Sequence, residues 1–360
     1  MRRRLLLGLP LVSVGAFLAY AFLSPSPIDP VAWDAPPRPA LEGSLAPNTA
    51  LRAAQVGGAG LYGGPETLAV DGLGRIYSGN MDGSILRTKG PGVNDPLEVF
   101  AQTGGRPLGL EFDSAGSLLV ADIDKGLLSI TPEGVISVLA TEAEGVPFKF
   151  ADDIDLDVMG RIYFTDASDR FGKRDYLLDL FEGRPHGRLL RYDPETRRTE
   201  VLLKALNFAN GVALSATGDF VLVNETWRYR IVRLWLAGPK AGTRDVFADG
   251  LPGFPDGLSR GEDGRFYVAL YTVRNAASDL VAPRPWMRTL LVHLPRALWP
   301  KPARYGFVLA LDADGHPVQT WQDPDGEVLY EVTSVRMTQG RLYLGSLHDD
   351  RIGVLPLDGR

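Results

Sequence analysis

The chain has 360 residues, ordinary shares of apolar and charged residues, and a formal net charge of -6. That length supports one large all-β domain or two ordinary ones, while mild acidity with scattered basic residues excludes the electrostatic footprint of a nucleic-acid binder. The absence of cysteine removes disulfides, thiolate zinc sites and cysteine nucleophiles together.

The chain opens with three arginines, followed by 19 uncharged, mostly apolar residues from Leu5 to Leu23. Residues 1–23 read as a membrane anchor or signal peptide, since the stretch is long enough to span a bilayer and Ala19-Tyr20-Ala21 offers an A-x-A-like cleavage site. The anchor is the preferred reading, with a cleaved secreted form as the alternative. Its leading arginines place the body on the extracytoplasmic side, periplasmic or extracellular. Residues 24–54, beginning "SPSPIDPVAWDAPPRPA", read as a Pro-rich linker.

From residue 55 one pattern recurs six times: an apolar strand residue, a short turn, then Gly followed by an aromatic or aliphatic pair. The copies turn on Gly74, Gly116, Gly160, Gly218, Gly264 and Gly340, spaced 42, 44, 58, 46 and 76 residues apart. A four-stranded propeller blade takes roughly 40 to 50 residues, so residues 55–360 are predicted to form a six-bladed β-propeller. The two long gaps hold insertions over residues 167–188 and 271–306, expected to cover one mouth of the channel as a lid and substrate walls, or to form a membrane-facing or subunit-facing surface.

The third copy, "FADDIDLDVMGRIYFTD", carries aspartates at the spacing of an EF-hand loop. Val158 and Phe164 stand where that loop needs Gly and an acidic residue, so the reading fails. Asp155 and Asp157 read instead as solvated strand and turn residues. Superposing the copies places Glu66, Leu108, Asp152, Asn210 and Asp256 at one repeat phase, with Thr333 nearest in the sixth. Equivalent positions converge on the axis of a propeller. Glu66, Asp152, Asn210 and Asp256 are therefore candidate ligands of a hard cation, and calcium suits such an all-oxygen set best.

The segments "GRPLGLEFD", "IYFTDAS", "GRLLRYDP", "FANGVALS", "FVLVNET", "LPGFPDGLS" and "LYLGSL" resemble the strictosidine synthase-like / adipocyte plasma membrane-associated protein family. That family is related more distantly to gluconolactonase, regucalcin and the paraoxonases. The resemblance covers most of residues 55–355 and implies a channel cation on Glu66, Asn210, Asp256 and, with Asp in place of Asn, Asp152. It also implies a calcium-dependent hydrolase of lactones or aryl esters, with Asp256 or Asp152 as proton acceptor or nucleophile. The alternatives are a membrane-anchored binding propeller with structural calcium, and a carbon–nitrogen bond-forming enzyme. The blade-six glutamate of the plant synthases is matched at Val332 or Thr333, with Glu331 slightly off phase. No G-x-S-x-G elbow occurs, and of the four histidines only His348 is expected near a mouth.

Overall fold

A computed structural model describes residues 20, 21 and 23–357. Most of the predicted anchor lies outside those residues, and no described helix is long and apolar enough to cross a membrane.

Six four-stranded antiparallel sheets form the body. Blade one comprises Leu68–Val70, Ile76–Gly79, Ser84–Thr88 and Leu97–Gln102, and blade two Pro107–Phe112, Leu118–Asp122, Gly126–Ile130 and Ile136–Ala140. Blade three runs through Ala151–Leu156, Ile162–Asp166, Gly187–Asp193 and Arg198–Leu206, and blade four through Ala209–Leu214, Phe220–Glu225, Arg230–Trp235 and Arg244–Ala248. Blade five is Gly253–Arg260, Phe266–Val273, Gly306–Leu311 and Pro317–Asp323. Blade six takes Val332–Thr338, Arg341–Ser346 and Ile352–Pro356 from the end of the chain and its outermost strand, Gln55–Gly57, from the start. That pairing closes the ring, and the first strand of each blade lies against its neighbours around the axis.

The repeat glycines do what the pattern requires. All six adopt left-handed backbone, with φ between 67° and 82°, in the turn that joins the first two strands of each blade. In blades one, two and three the turn opens on Asp71, Asp113 or Asp157, whose carboxylate accepts amides two and four residues on. Asp157 is thus the turn residue its sequence suggests.

Alternation along the strands feeds opposite faces of each sheet into different blade interfaces. Leu68 and Ile76 pack with Tyr343 and Val354 of blade six, whereas Ala69 and Tyr77 pack with Leu110 and Leu118 of blade two. Each large side chain buried this way contributes about 1.5–3 kcal/mol, so closure rests on many interfaces rather than on one element.

The segment before the first strand, read from sequence as a linker, is held against the body. Leu51 is fully buried beside Tyr267 and Leu329, Asn48 bonds Thr320, and Arg52 pairs with Asp323. Trp33 lies over Tyr229 and under the Arg228 guanidinium. The Pro-rich segment is thus held along blades four and five instead of hanging free.

Candidate metal centre and channel mouth

The first strand of each blade starts at one end of the channel and reaches its glycine turn at the other. Both insertions join a second strand to a third, so they lie at the starting end. One contains the helix α1 (Tyr176–Glu182), the other the helices α2 (Ala276–Val281) and α3 (Pro285–His293). The sequence-predicted ring residues lie at the same end, which is hereafter the mouth.

A backbone irregularity explains why these residues leave the sheets. The ladder between the first two strands shifts register between Pro107 and Gly109, Ala151 and Ile154, Ala209 and Val212, Pro255 and Leu258, and Val332 and Ser334. Leu108, Asp152, Asn210, Asp256 and Thr333 are the residues bulged out of the ladder, and Glu66 immediately precedes its strand. Side chains of one blade then hold the ring carbonyls of the next. Thr165 donates to the Asn210 carbonyl at 2.8 Å, Asn224 to that of Asp256 at 2.6 Å, and Thr333 to that of Glu66 at 3.0 Å. Gly211 and Gly257 permit this approach, since a Cβ on either would stand 2.5 Å from the carbonyl oxygen of Asp256 or Thr333.

Glu66, Asp152, Asn210 and Asp256 are all buried, with Glu66 and Asp256 near enough to act on Asp152 and Asn210 on Asp256. Burial first, then the negative charges of Glu66 and Asp256, raise the pKa of Asp152 well above the usual carboxylate range. Asp256 is raised by burial and by Glu66, against a hydrogen bond from Asn210. Glu66 is raised by burial and held back by Arg106 and His348. Glu66 Oε2 and Asp152 Oδ2 are buried without a hydrogen-bond partner. The only basic side chain close to this ring that is itself buried, among the described residues, is Arg106, 3.7 Å from Glu66 Oε2. Three carboxylates and one guanidinium leave a formal charge of -2.

Two residues before the ring, the same phase brings Gly64, Arg106, Phe150, Phe208, Phe254 and Glu331 to the mouth. Phe150 and Phe208 meet at 5.2 Å between centroids, and Trp227 lies tilted against Phe208 at 4.6 Å. One half of the mouth is therefore aromatic and the other charged. Phe208 and Glu331 both hold left-handed backbone, at φ 59° and 48°, a strained state for such side chains. The Glu331 carboxylate lies 2.6 Å from His348 Nδ1, and Tyr271 Oη donates to it at 3.4 Å. Tyr176 of α1 is pushed up to about 12 by burial and by Glu66, Asp256 and Glu331. A cleft of about 530 Å³ lined by Asp124, Lys173 and Asp175 opens on the rim.

His348 is at the mouth as expected. Arg106 was not singled out from the sequence and Glu331 was named there only as slightly off phase, although their shared phase two residues before the ring was available. Tyr176 and Tyr271 carry no repeat signal. Asp155 corrects the sequence reading: instead of being solvated, its carboxylate is pushed up to about 7 by burial and accepts the Leu214 amide at 2.7 Å. Asp153 likewise accepts the Val212 amide at 3.0 Å. These two carboxylates staple blade three to blade four.

Residues 152–239 match the strictosidine synthase family and residues 43–88 the strictosidine synthase-like N-terminal family. Protein strictosidine synthase-like 10 of Arabidopsis thaliana is 38% identical over 82% of this chain and 85% of its own length. Human adipocyte plasma membrane-associated protein is 36% identical over 91% of this chain and 84% of its own. Among solved structures, a gluconolactonase from Xanthomonas campestris superposes with a TM-score of 0.61 at 16% identity, covering 93% of this chain and 99% of that one. A calcium-binding protein, regucalcin, from Agrobacterium tumefaciens gives 0.57 at 15% identity over 82% and 90%. At these identities the two structures share the fold alone.

Proposed function

The chain belongs to the strictosidine synthase-like family, and from that premise we propose a calcium-dependent hydrolase of lactones or aryl esters. The observation that carries the reading is a pair of buried oxygens that accept no hydrogen bond, Glu66 Oε2 and Asp152 Oδ2, in a ring of like charge where, among the described residues, Glu66 alone has a buried cation beside it, Arg106 at 3.7 Å. An unpaired buried carboxylate costs several kcal/mol, roughly, and a divalent cation would neutralise the remaining charge of the ring with its preferred oxygen donors. Glu66, Asp152, Asn210 and Asp256 would hold it. Calcium bound there supplies Lewis acidity toward an ester or lactone carbonyl oxygen.

The protein's own groups supply the rest. Asp256 or Asp152, whichever is ionised, takes the proton of an attacking water or attacks the acyl carbon, and the repulsion between them keeps a proton on the other. His348 directs Nδ1 toward Glu331, which leaves Nε2 to pass a proton to solvent at the rim. Phe150, Phe208 and Trp227 offer an apolar wall for the acyl or aryl part. The N-terminal segment would anchor the protein with its propeller on the extracytoplasmic side, in keeping with the name of its plasma membrane-associated relatives.

A second reading, a membrane-anchored binding propeller with structural calcium, draws on the calcium-binding neighbour. Turnover of a panel of lactones and aryl esters, with and without chelator, separates the two. Asp256→Ala is expected to reduce hydrolysis at least about a hundredfold while the melting transition survives. Full turnover in this variant would refute the assignment of Asp256.

A further inference from the structure

The insertions form a cap whose outer surface is apolar and basic. Leu280 is 51% exposed, Trp286 55% and Leu298 65%, all within the blade-five insertion. Lys173, Arg174, Arg284, Arg296 and Lys301 are exposed on the same cap; of these, Arg296 pairs with the exposed Asp175 and Lys173 with the exposed Asp124. Isolated exposed apolar residues are ordinary, but a group of them on one insertion, ringed by cations, calls for a partner.

The path of the chain says which partner. Tyr20 packs its ring edge on His293 of α3 at 5.7 Å, and Ala21 is buried. Ile28 is buried among Phe171, Leu178, Phe181 and Trp299, which join both insertions. Among the described residues, the end of the apolar stretch and the chain that follows it therefore meet the body at the cap, through Tyr20 and Ile28. Arg288 of α3 locks this entry by bonding the carbonyls of Val31 and Glu182.

We propose that the cap is a membrane-docking surface, which lies on an anionic bilayer through Leu280, Trp286 and Leu298 and turns the channel mouth toward the lipid. Trp and Leu immersed at the headgroup boundary with Lys and Arg beside them is the composition that binds such an interface. The turns at the far end, where Val158 is fully exposed, then face water. Docking is independent of what the ring catalyses.

The absence of native cysteine makes the test direct. The full chain is reconstituted in phosphatidylcholine vesicles containing phosphatidylserine, as four single-cysteine variants, Leu280→Cys, Trp286→Cys, Leu298→Cys and Val158→Cys. Each carries an environment-sensitive fluorophore, and all four sites are exposed, so labelling leaves the core untouched. The three cap labels should shift to the blue and be quenched severalfold by nitroxide-bearing lipids, while the Val158 label behaves as in buffer. Cap labels indistinguishable from the Val158 label, whether all are quenched or none, would overturn the proposal by showing a body that hangs from its tether with no face selected.

Discussion

At the residue scale, four ring positions were legible because a propeller repeats its geometry, so one phase in the sequence becomes one place in space. What the phase could not reveal is the bulge that turns each of those residues out of its ladder, since a bulge depends on cross-strand register. Asp152 and Asp155 should therefore separate cleanly. Asp155→Asn keeps one acceptor for the Leu156 and Leu214 amides and should cost about 1 kcal/mol of stability with calcium affinity unchanged. Asp152→Ala should abolish calcium binding with a smaller thermal effect. Titration calorimetry and melting curves on both variants check this, and the reverse pattern would place the ring one residue away. Asp179 gives a test at a distance from the ring. Fully buried, it accepts bonds from Ser168 and Trp227, and burial pushes its carboxyl up to about 7. The stability it contributes is complete below the ordinary carboxylate pKa of about 4 and is lost as pH rises through about 7. The wild-type melting temperature should thus fall between pH 5 and pH 8, and Asp179→Asn should flatten that fall. An unchanged pH profile in this variant would contradict the assignment.

At the element scale, the blades could be read from the glycine period, but the strap over residues 24–54 could not. It repeats nothing, and its prolines look like a spacer until Leu51, Asn48 and Trp33 are seen to find partners on blades four and five. Two truncations divide anchor from strap. Removal of residues 1–23 should leave a folded body, because the strap and the closing strand remain. Removal of residues 1–54 exposes the Leu51 site and strips Asp323 of Arg52, and should lower stability by several kcal/mol, roughly. Leu51→Ala alone should cost about 2–5 kcal/mol. Denaturant unfolding of the three proteins measures the differences, and equal stability of the two truncated forms would show the strap to be idle.

At the scale of the whole molecule, sixfold closure and chemistry are carried by different parts. The interfaces between blades hold the ring shut, whereas insertions and bulged residues at one end make the mouth. The family was legible because blade-spanning segments carry it; the substrate was not, because the mouth is walled by Phe150, Phe208 and the non-repeating insertions. We propose that the axial ring holds one divalent cation on which hydrolysis depends. The most direct test is bound calcium and lactone or aryl-ester turnover, measured on one preparation of the full chain before and after chelation. The prediction is one calcium per chain, with turnover that disappears on chelation and returns when calcium is restored. Full turnover by a metal-free preparation would contradict it.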